Sequence, residues 1–189
     1  MNKIVVSALS LAFVAGLGSA ELIVNGSFDQ TLDIGWTMDT LVIAGLHRFE
    51  RSDTLGSPGG YAARVYKELA DHAALVQTVT VPGPDLDFTV DARLWVIGGS
   101  STCWPVAAVI IRYLDNGGIE LGNTKFYSHN EFALWVSSDT AHLIDVSALS
   151  GWQHYQLSIR QELADNLPGV NADQLKQIRV ELYSYDSGT

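Results

Sequence analysis

The stretch Leu22–Asp29, which reads LIVNGSFD, and the Gly35-Trp36 pair after it indicate how this chain folds. The first three residues of the stretch predict a short strand, and Asn25-Gly26 predicts a tight turn, because both residues tolerate a positive φ. Phe28 and Trp36 supply large apolar side chains on either side of a polar loop. This arrangement is typical of a β-sandwich whose opening edge is held down.

The first twenty residues have the pattern of a secretory signal peptide. Lys3 gives a basic start, an apolar run follows from Ile4 to Leu17, and Gly18-Ser19-Ala20 matches a small-residue cleavage site. The apolar run is too short for a membrane span. We therefore expect residues 1–20 to be removed, and residues 21–189 to form one soluble domain that is extracellular or periplasmic.

The composition disfavours two classes of partner. The 189 residues include 11 basic and 21 acidic side chains, for a net charge of −10. An acidic surface repels phosphate groups, so we expect neither nucleic acid nor a membrane as a partner, whereas neutral ligands and calcium are compatible. Solubility alone would also explain the charge. The single cysteine, Cys103, excludes an intrachain disulfide, and we expect a buried thiol.

Short apolar or alternating segments separated by turn residues predict an all-β fold, an antiparallel β-sandwich. The expected strands are Leu22–Val24, Leu41–Phe49, Tyr61–Tyr66, Ala73–Val81, Phe88–Val96, Val106–Leu114, Glu120–Phe126, His142–Val146, Gln153–Ile159 and Gln177–Tyr185. One short helix is expected at Asn171–Gln177, where Asn171 and Gln174 form a capping-box pattern.

Two of these strands indicate which side chains face the core. In Phe88–Val96 the period of two places Phe88, Val90, Ala92, Leu94 and Val96 on one face, with Thr89, Asp91, Arg93 and Trp95 on the other. Val106–Leu114 is apolar on both faces, which is typical of a central strand. Its core face is predicted to carry Val109, Ile111 and Tyr113, with Ala108, Ile110 and Arg112 opposite.

The order of several motifs resembles the family 4 and 9 type of carbohydrate-binding module, a galactose-binding-domain-like jelly roll. The matching pieces are Val24–Asp29 with Gly35-Trp36, Gly60–Val65, Leu75–Pro82, Phe88–Leu94, Tyr113–Asp115, Gly151–Tyr155 and Ile178–Leu182. The resemblance implies two antiparallel sheets, noncatalytic binding of a polysaccharide or oligosaccharide on a sheet face, and a structural calcium. Modules of this type use an acidic residue at the position of Asp29 and carbonyls of the segment around Ser57–Gly60 to hold calcium. The alternative is that Asp29 caps a turn.

The chain ends at Thr189, where the resemblance implies that a closing strand should follow. We therefore expect the C-terminal strand to be missing from this sequence or to come from elsewhere, as part of a larger secreted protein. Leu22–Val24 would then lie at an open edge.

Aromatic side chains that stack on sugar rings, with polar neighbours that bind hydroxyls, are the expected site. The candidate carbohydrate-binding residues are Trp95, Arg93, Asp91, Tyr127, Trp135 and Trp104. For each aromatic residue the alternative is packing in a small satellite core. Trp36 and Trp152 are assigned to the main core.

Catalysis finds no support, since the chain has neither a Gly-x-Ser-x-Gly elbow nor a His-Glu-x-x-His motif. Glu68 and Asp71 could form a carboxylate pair for glycoside hydrolysis, but they are expected in a solvated loop. The sequence therefore predicts a secreted, noncatalytic carbohydrate-binding module that is not an enzyme. An adhesion or structural module of the same fold without sugar binding is the alternative.

Overall fold

The computed structural model describes residues 3–14, 22–42, 44–55, 60–133 and 135–188, with residues 3–14 and Val42 described by their backbone alone. These ranges contain a single α-helix, α1 (Ile159–Asn166), and a 3-10 turn at Ala172–Gln174. The strands are β1 (Lys3–Val14), β2 (Thr37–Val42), β3 (His47–Ser52), β4 (Ala62–Lys67), β5 (Asp71–Thr80), β6 (Asp87–Ile97), β7 (Val106–Leu114), β8 (Glu120–His129), β9 (Ala141–Asp145), β10 (Gln153–Ser158) and β11 (Gln177–Asp186).

The strands form two sheets that pack on one apolar core. The five-stranded sheet has the order β10-β6-β1-β4-β3, and the six-stranded sheet has the order β2-β5-β11-β7-β8-β9. The core contains Phe28, Trp36, Phe88, Tyr113 and Ile178. The prediction of an all-β sandwich is therefore confirmed. Its strands pair antiparallel except β8 and β9, which are parallel because the chain crosses back over the sheet between Asn130 and Thr140.

Local alternation predicted the two most informative strands well. In β6 the buried residues are Phe88, Val90, Ala92 and Leu94, whereas Trp95 is 45% exposed. In β7 the residues Val109, Ile111 and Tyr113 join the main core. The opposite face of β7 carries Val106, Ala108 and Ile110, which form a second, smaller apolar cluster with Tyr127.

The prediction of a strand at Leu22–Val24 is wrong, and so is the open edge expected there. The segment is a bend, and the buried side chain of Gln77 binds it in place of a neighbouring strand. The amide of Val24 donates to Gln77 Oε1 at 2.7 Å, and Gln77 Nε2 donates to the carbonyl of Val24 at 2.9 Å. The turn that follows is confirmed, because Asn25 has a φ of 53° and accepts from the amide of Phe28 at 3.1 Å.

Three other expectations need correction. The segment Leu41–Phe49 is two strands, β2 and β3, that belong to different sheets. The extended backbone is interrupted near Gly45, whose φ is 78°. Only glycine fits there, because a Cβ would lie 1.9 Å from the carbonyl oxygen of Glu68. The helix lies at Ile159–Asn166, earlier than expected, and Asn171 caps only the 3-10 turn. Trp152 is half-buried beside the edge strand β10 and lies outside the core cluster.

The segment that resembles a signal peptide has a place in this fold. Its backbone forms β1, which pairs antiparallel with β4 on one side and with β6 on the other. The removal of residues 1–20 stays a prediction. Across the described ranges, α1 and every other helical turn fall short of the length and apolarity that crossing a membrane requires.

Candidate functional site

The outer face of the six-stranded sheet, the side turned away from the core, presents side chains in cross-strand rows. One row contains Asp39 of β2, Ala74 of β5, Tyr183 of β11, Ala108 of β7 and Tyr127 of β8. Two of these five positions are alanine, so the surface of the sheet is depressed between the larger side chains. The face therefore combines a depression with neighbouring rings.

A cleft of about 360 Å³ opens on this face. Its polar residues come from β2, β5, β7, β8 and β11, so residues distant in the sequence meet there. The cleft is lined by Asp39, His72, Ala74, Arg112, Leu114, Gly118, Glu120, Arg179, Glu181 and Tyr183.

Two arginines hold Glu181, which is only 3% exposed, in the cleft. Arg112 Nε lies 2.7 Å from Glu181 Oε1 and Arg112 Nη2 lies 3.1 Å from Glu181 Oε2, so this pair is bidentate. Arg179 Nε lies 2.8 Å from Glu181 Oε1. The carboxylate of Glu181 is thereby hydrogen-bonded to Arg112 and ion-paired with Arg179, whose Nε makes no hydrogen bond with the described residues.

Each arginine also reaches a carboxylate nearer to solvent. Arg112 Nη1 donates to Glu120 Oε2 at 2.7 Å, and Arg179 Nη2 donates to Asp39 Oδ2 at 3.2 Å. Burial opposes the charge of Arg112, but its bonds to Glu181 and Glu120 outweigh this effect and raise its pKa. The cleft is thus lined by an ordered series of fixed donors and acceptors.

An aromatic strip, defined here as Tyr183, Tyr185, Trp135 and Trp104, borders the cleft. The ring centroids of Tyr183 and Tyr185 are 6.3 Å apart, with planes inclined by only 10°. The ring centroid of Trp135 lies 6.4 Å from that of Tyr183, and the ring centroid of Trp104 lies 5.4 Å from that of Tyr185. All four rings are partly exposed. Burial and the charge of Glu181 raise the pKa of Tyr183, so its hydroxyl stays protonated and can donate.

The loop between β8 and β9 places Trp135 over the sheet. Its ring centroid lies 5.8 Å from that of Tyr127 and 4.5 Å from Lys125 Nζ. Burial, followed by the charge of Arg112, lowers the pKa of Lys125. Trp135 therefore covers Tyr127, which is 8% exposed and packs in the smaller apolar cluster.

The predicted site residues fall into two groups on opposite sides of the sandwich. Tyr127, Trp135 and Trp104 lie together on the outer face of the six-stranded sheet. The other group, Trp95, Arg93 and Asp91, lies on β6 in the five-stranded sheet. There the guanidinium carbon of Arg93 is 5.1 Å from the centroid of the Trp95 ring, and Asp91 Oδ1 is 2.9 Å from Nδ1 of His154 on β10.

Sequence reasoning did not select the residues that form the cleft. The signal was present in β11, where the period of two puts Arg179, Glu181, Tyr183 and Tyr185 on one face. Charged and aromatic residues on alternate positions of a strand indicate a functional face. The contribution of Asp39 had no such signal, because it depends on the pairing of β2 with β5.

The calcium site that the resemblance implies at Asp29 stays a prediction, because most of the segment expected to supply its carbonyl ligands lies outside the described residues. The carboxylate of Asp29 is exposed and accepts from Ser27 Oγ at 2.7 Å. Arg51 donates to the carbonyls of Phe28 at 2.6 Å and Asp29 at 2.5 Å, so its guanidinium binds the backbone beside that carboxylate. In the part of the chain that the structure describes, no cluster of three or more His, Cys, Asp or Glu side chains could hold a metal. Residues 57–59 of the expected segment lie outside the described residues.

This geometry makes a prediction about stability. Replacing Arg51 with alanine should lower the free energy of unfolding by about 2 kcal/mol, because two charge-assisted bonds are lost. Its contact with the Tyr61 ring, 3.4 Å from the guanidinium carbon to the centroid, is lost as well. If Arg51 rather than a cation holds this turn, EDTA should leave the melting temperature of the unmodified protein unchanged. Both effects can be measured by thermal and chemical unfolding.

The control is Arg48→Ala, because the Arg48 side chain is 59% exposed. A melting temperature that rises with calcium and falls again with EDTA would support the calcium site instead.

Comparisons with known proteins assign this chain to no family, so its class is described by its fold alone. No protein-family model matches the chain, and no curated protein matches it in sequence. The architecture defines an all-β sandwich with a charged and aromatic outer face.

Proposed function

We propose that this chain is a secreted, noncatalytic carbohydrate-binding module of jelly-roll form. It holds a polysaccharide or oligosaccharide across the outer face of the six-stranded sheet. The observation that carries the proposal is the cleft of about 360 Å³ in direct contact with the aromatic strip through Tyr183, which belongs to both.

The two parts of this face suit the two properties of a sugar. A pyranose ring presents apolar C–H groups, which pack on aromatic faces such as those of Tyr183 and Trp135. Its hydroxyls both donate and accept hydrogen bonds, and Arg179, Asp39 and Glu120 supply partners of both kinds. Aromatic contact then provides most of the buried area, and the fixed polar groups provide selectivity.

One observation favours the alternative of an adhesion or structural module. Trp135 packs against Tyr127, and both belong to the smaller apolar cluster over Val106, Ala108 and Ile110. Packing of this kind is also what a loop needs for its own stability. The two functions therefore differ in whether Trp135 and Tyr183 contact a ligand.

Affinity electrophoresis in gels that contain neutral polysaccharides tests the proposal. We expect retention of the unmodified protein, without release of reducing ends. Tyr183→Ala and Trp135→Ala should each weaken binding about tenfold or more, which corresponds to about 1.4 kcal/mol. Tyr183→Phe should retain most of the binding, because the stacking surface remains.

Trp95→Ala is the matched control, since it removes an exposed tryptophan from the other sheet. Loss of binding in this variant alone would move the site to the face of Trp95, Arg93 and Asp91. No retention of the folded protein on any polymer would contradict glycan binding and favour the adhesion module.

A further inference from the structure

A segment with the pattern of a cleavable leader fills the centre of the five-stranded sheet. Against β6 the register of β1 runs from Lys3 opposite Ile97 to Val14 opposite Asp87. Against β4 it runs from Ile4 opposite Lys67 to Ala8 opposite Ala63. Both neighbours are antiparallel to β1, so residues 3–14 occupy a slot with a strand on each side.

The sides of this slot are made by core residues. On β6 the buried residues Phe88, Val90, Ala92 and Leu94 face the interior, and on β4 Ala63 and Val65 do. The positions of β1 that are paired with core residues of β6 hold Val6, Ala8, Leu11 and Phe13. The register shifts between Ala8 and Ser10, so the alternate apolar pattern continues beyond an irregularity in the strand.

Removal of this segment would leave a gap between β4 and β6 in the middle of the five-stranded sheet. β4 and β6 would both become edges with unpaired backbone groups, which template pairing with another strand. Val65 and Leu94, which are now almost fully buried, would face an open channel to the core. A processed chain therefore needs another strand at this position.

We propose that the slot between β4 and β6 is a strand-acceptor site that, after removal of residues 1–20, binds an extended segment of a partner polypeptide. The segment completes the sheet by main-chain hydrogen bonds to both neighbours. Its chemistry follows from the register: apolar residues at alternate positions, no proline, and an antiparallel direction relative to β4 and β6. The full chain has a net charge of −10, and the loss of Lys3 with residues 1–20 makes it −11, which favours a neutral or basic donor. This inference is independent of glycan binding on the opposite sheet.

The first test is the amino terminus of the exported protein. The full chain is expressed with its own leader in a bacterial host, and the intact mass of the exported product is measured. We expect it to begin at Glu21. An exported, folded protein that retains residues 1–20 would overturn the proposal, because β1 would then be a permanent strand.

The second test is strand exchange in the full chain. A protease site inserted between Ala20 and Glu21 allows the folded protein to be cut while residues 1–20 still occupy the slot. A fluorescent peptide with the sequence of residues 3–14 is then added in excess, and native mass spectrometry measures its incorporation. We expect one labelled peptide per chain to displace the cut segment.

The matched control is the same peptide with Val6→Pro and Leu11→Pro, which cannot donate the corresponding ladder hydrogen bonds. We expect no incorporation of this control. Equal uptake of both peptides would show nonspecific binding and overturn the proposal. Release of the cut segment with an unchanged melting temperature and no uptake, or with self-association of the processed chain in its place, would also overturn it.

Discussion

Replacing Glu181 with alanine is expected to lower the free energy of unfolding by about 3 kcal/mol. Glu181 is 3% exposed and pairs with two guanidinium groups, those of Arg112 and Arg179. Without it, two like charges face each other on the sheet. The expected loss lies at the low end for buried pairs, because the arginine side chains stay 27% and 34% exposed and partly hydrated. Urea unfolding followed by tryptophan fluorescence measures the change.

Two further variants test whether the loss of stability comes from the unpaired arginines rather than from the removal of any glutamate. Glu131→Ala, at an exposed site, is the control and should change stability by less than about 0.5 kcal/mol. The double variant Arg112→Met with Glu181→Leu should recover part of the loss, because an apolar pair needs no charge partner. We expect this double variant to fold and yet to lose glycan retention. Unchanged stability of Glu181→Ala would contradict the role of Glu181 in fixing the arginines.

Features that depend only on neighbouring residues of one strand or turn could be predicted from the sequence. The alternation in β6 and the double apolar face of β7 follow from the period of two, so the core residues Phe88, Val90 and Ile111 were predicted correctly. The turn at Asn25 was predicted for a similar reason, since it depends on the φ preference of that residue. None of these features needs knowledge of a distant partner.

Features that depend on distant partners were missed. Val24 lacks a strand partner because the side chain of Gln77 binds its backbone, and no local pattern reports this contact. Trp95, the preferred candidate, and Trp135 were both predicted site residues, but Trp95 lies on β6 in one sheet and Trp135 lies in the loop between β8 and β9 of the other. The cleft likewise depends on the order β2-β5-β11-β7-β8, which brings Asp39 to Arg179. The candidate site could therefore be predicted by residue type but not by location.

A second large loss of stability is expected when Glu162 is replaced, because its carboxylate connects α1 to the six-stranded sheet by hydrogen bonds. Glu162 is 6% exposed, and its Oε1 lies 2.6 Å from both Thr124 Oγ1 and His142 Nδ1. Its Oε2 accepts from Asn166 Nδ2 at 2.8 Å. The helix has only eight residues, too few to be stable alone, so it depends on such contacts.

The bonds to Glu162 continue into the core. The Tyr113 hydroxyl lies 2.9 Å from Thr124 Oγ1. Burial raises the pKa of Tyr113, although the bond with Thr124 opposes this, so its hydroxyl stays protonated. Tyr113 can therefore donate to Thr124, which is then directed to donate to the carboxylate of Glu162. A carboxylate that accepts from several donors in a buried position is costly to remove.

Glu162→Ala should consequently lower the free energy of unfolding by about 3 kcal/mol, whereas Tyr113→Phe should cost about 1 kcal/mol, because it removes a single neutral bond. Asp165→Ala, on the exposed side of the same helix, is the control. Hydrogen exchange adds a local readout: amides of Ile159–Asn166 should lose protection in Glu162→Ala before the strands do. If the order of the two variants were reversed, the hydroxyl of Tyr113 rather than the carboxylate would be the main anchor. If the helix kept its protection, α1 would depend on Ile159 and Leu163 alone, and the proposed role of Glu162 would be wrong.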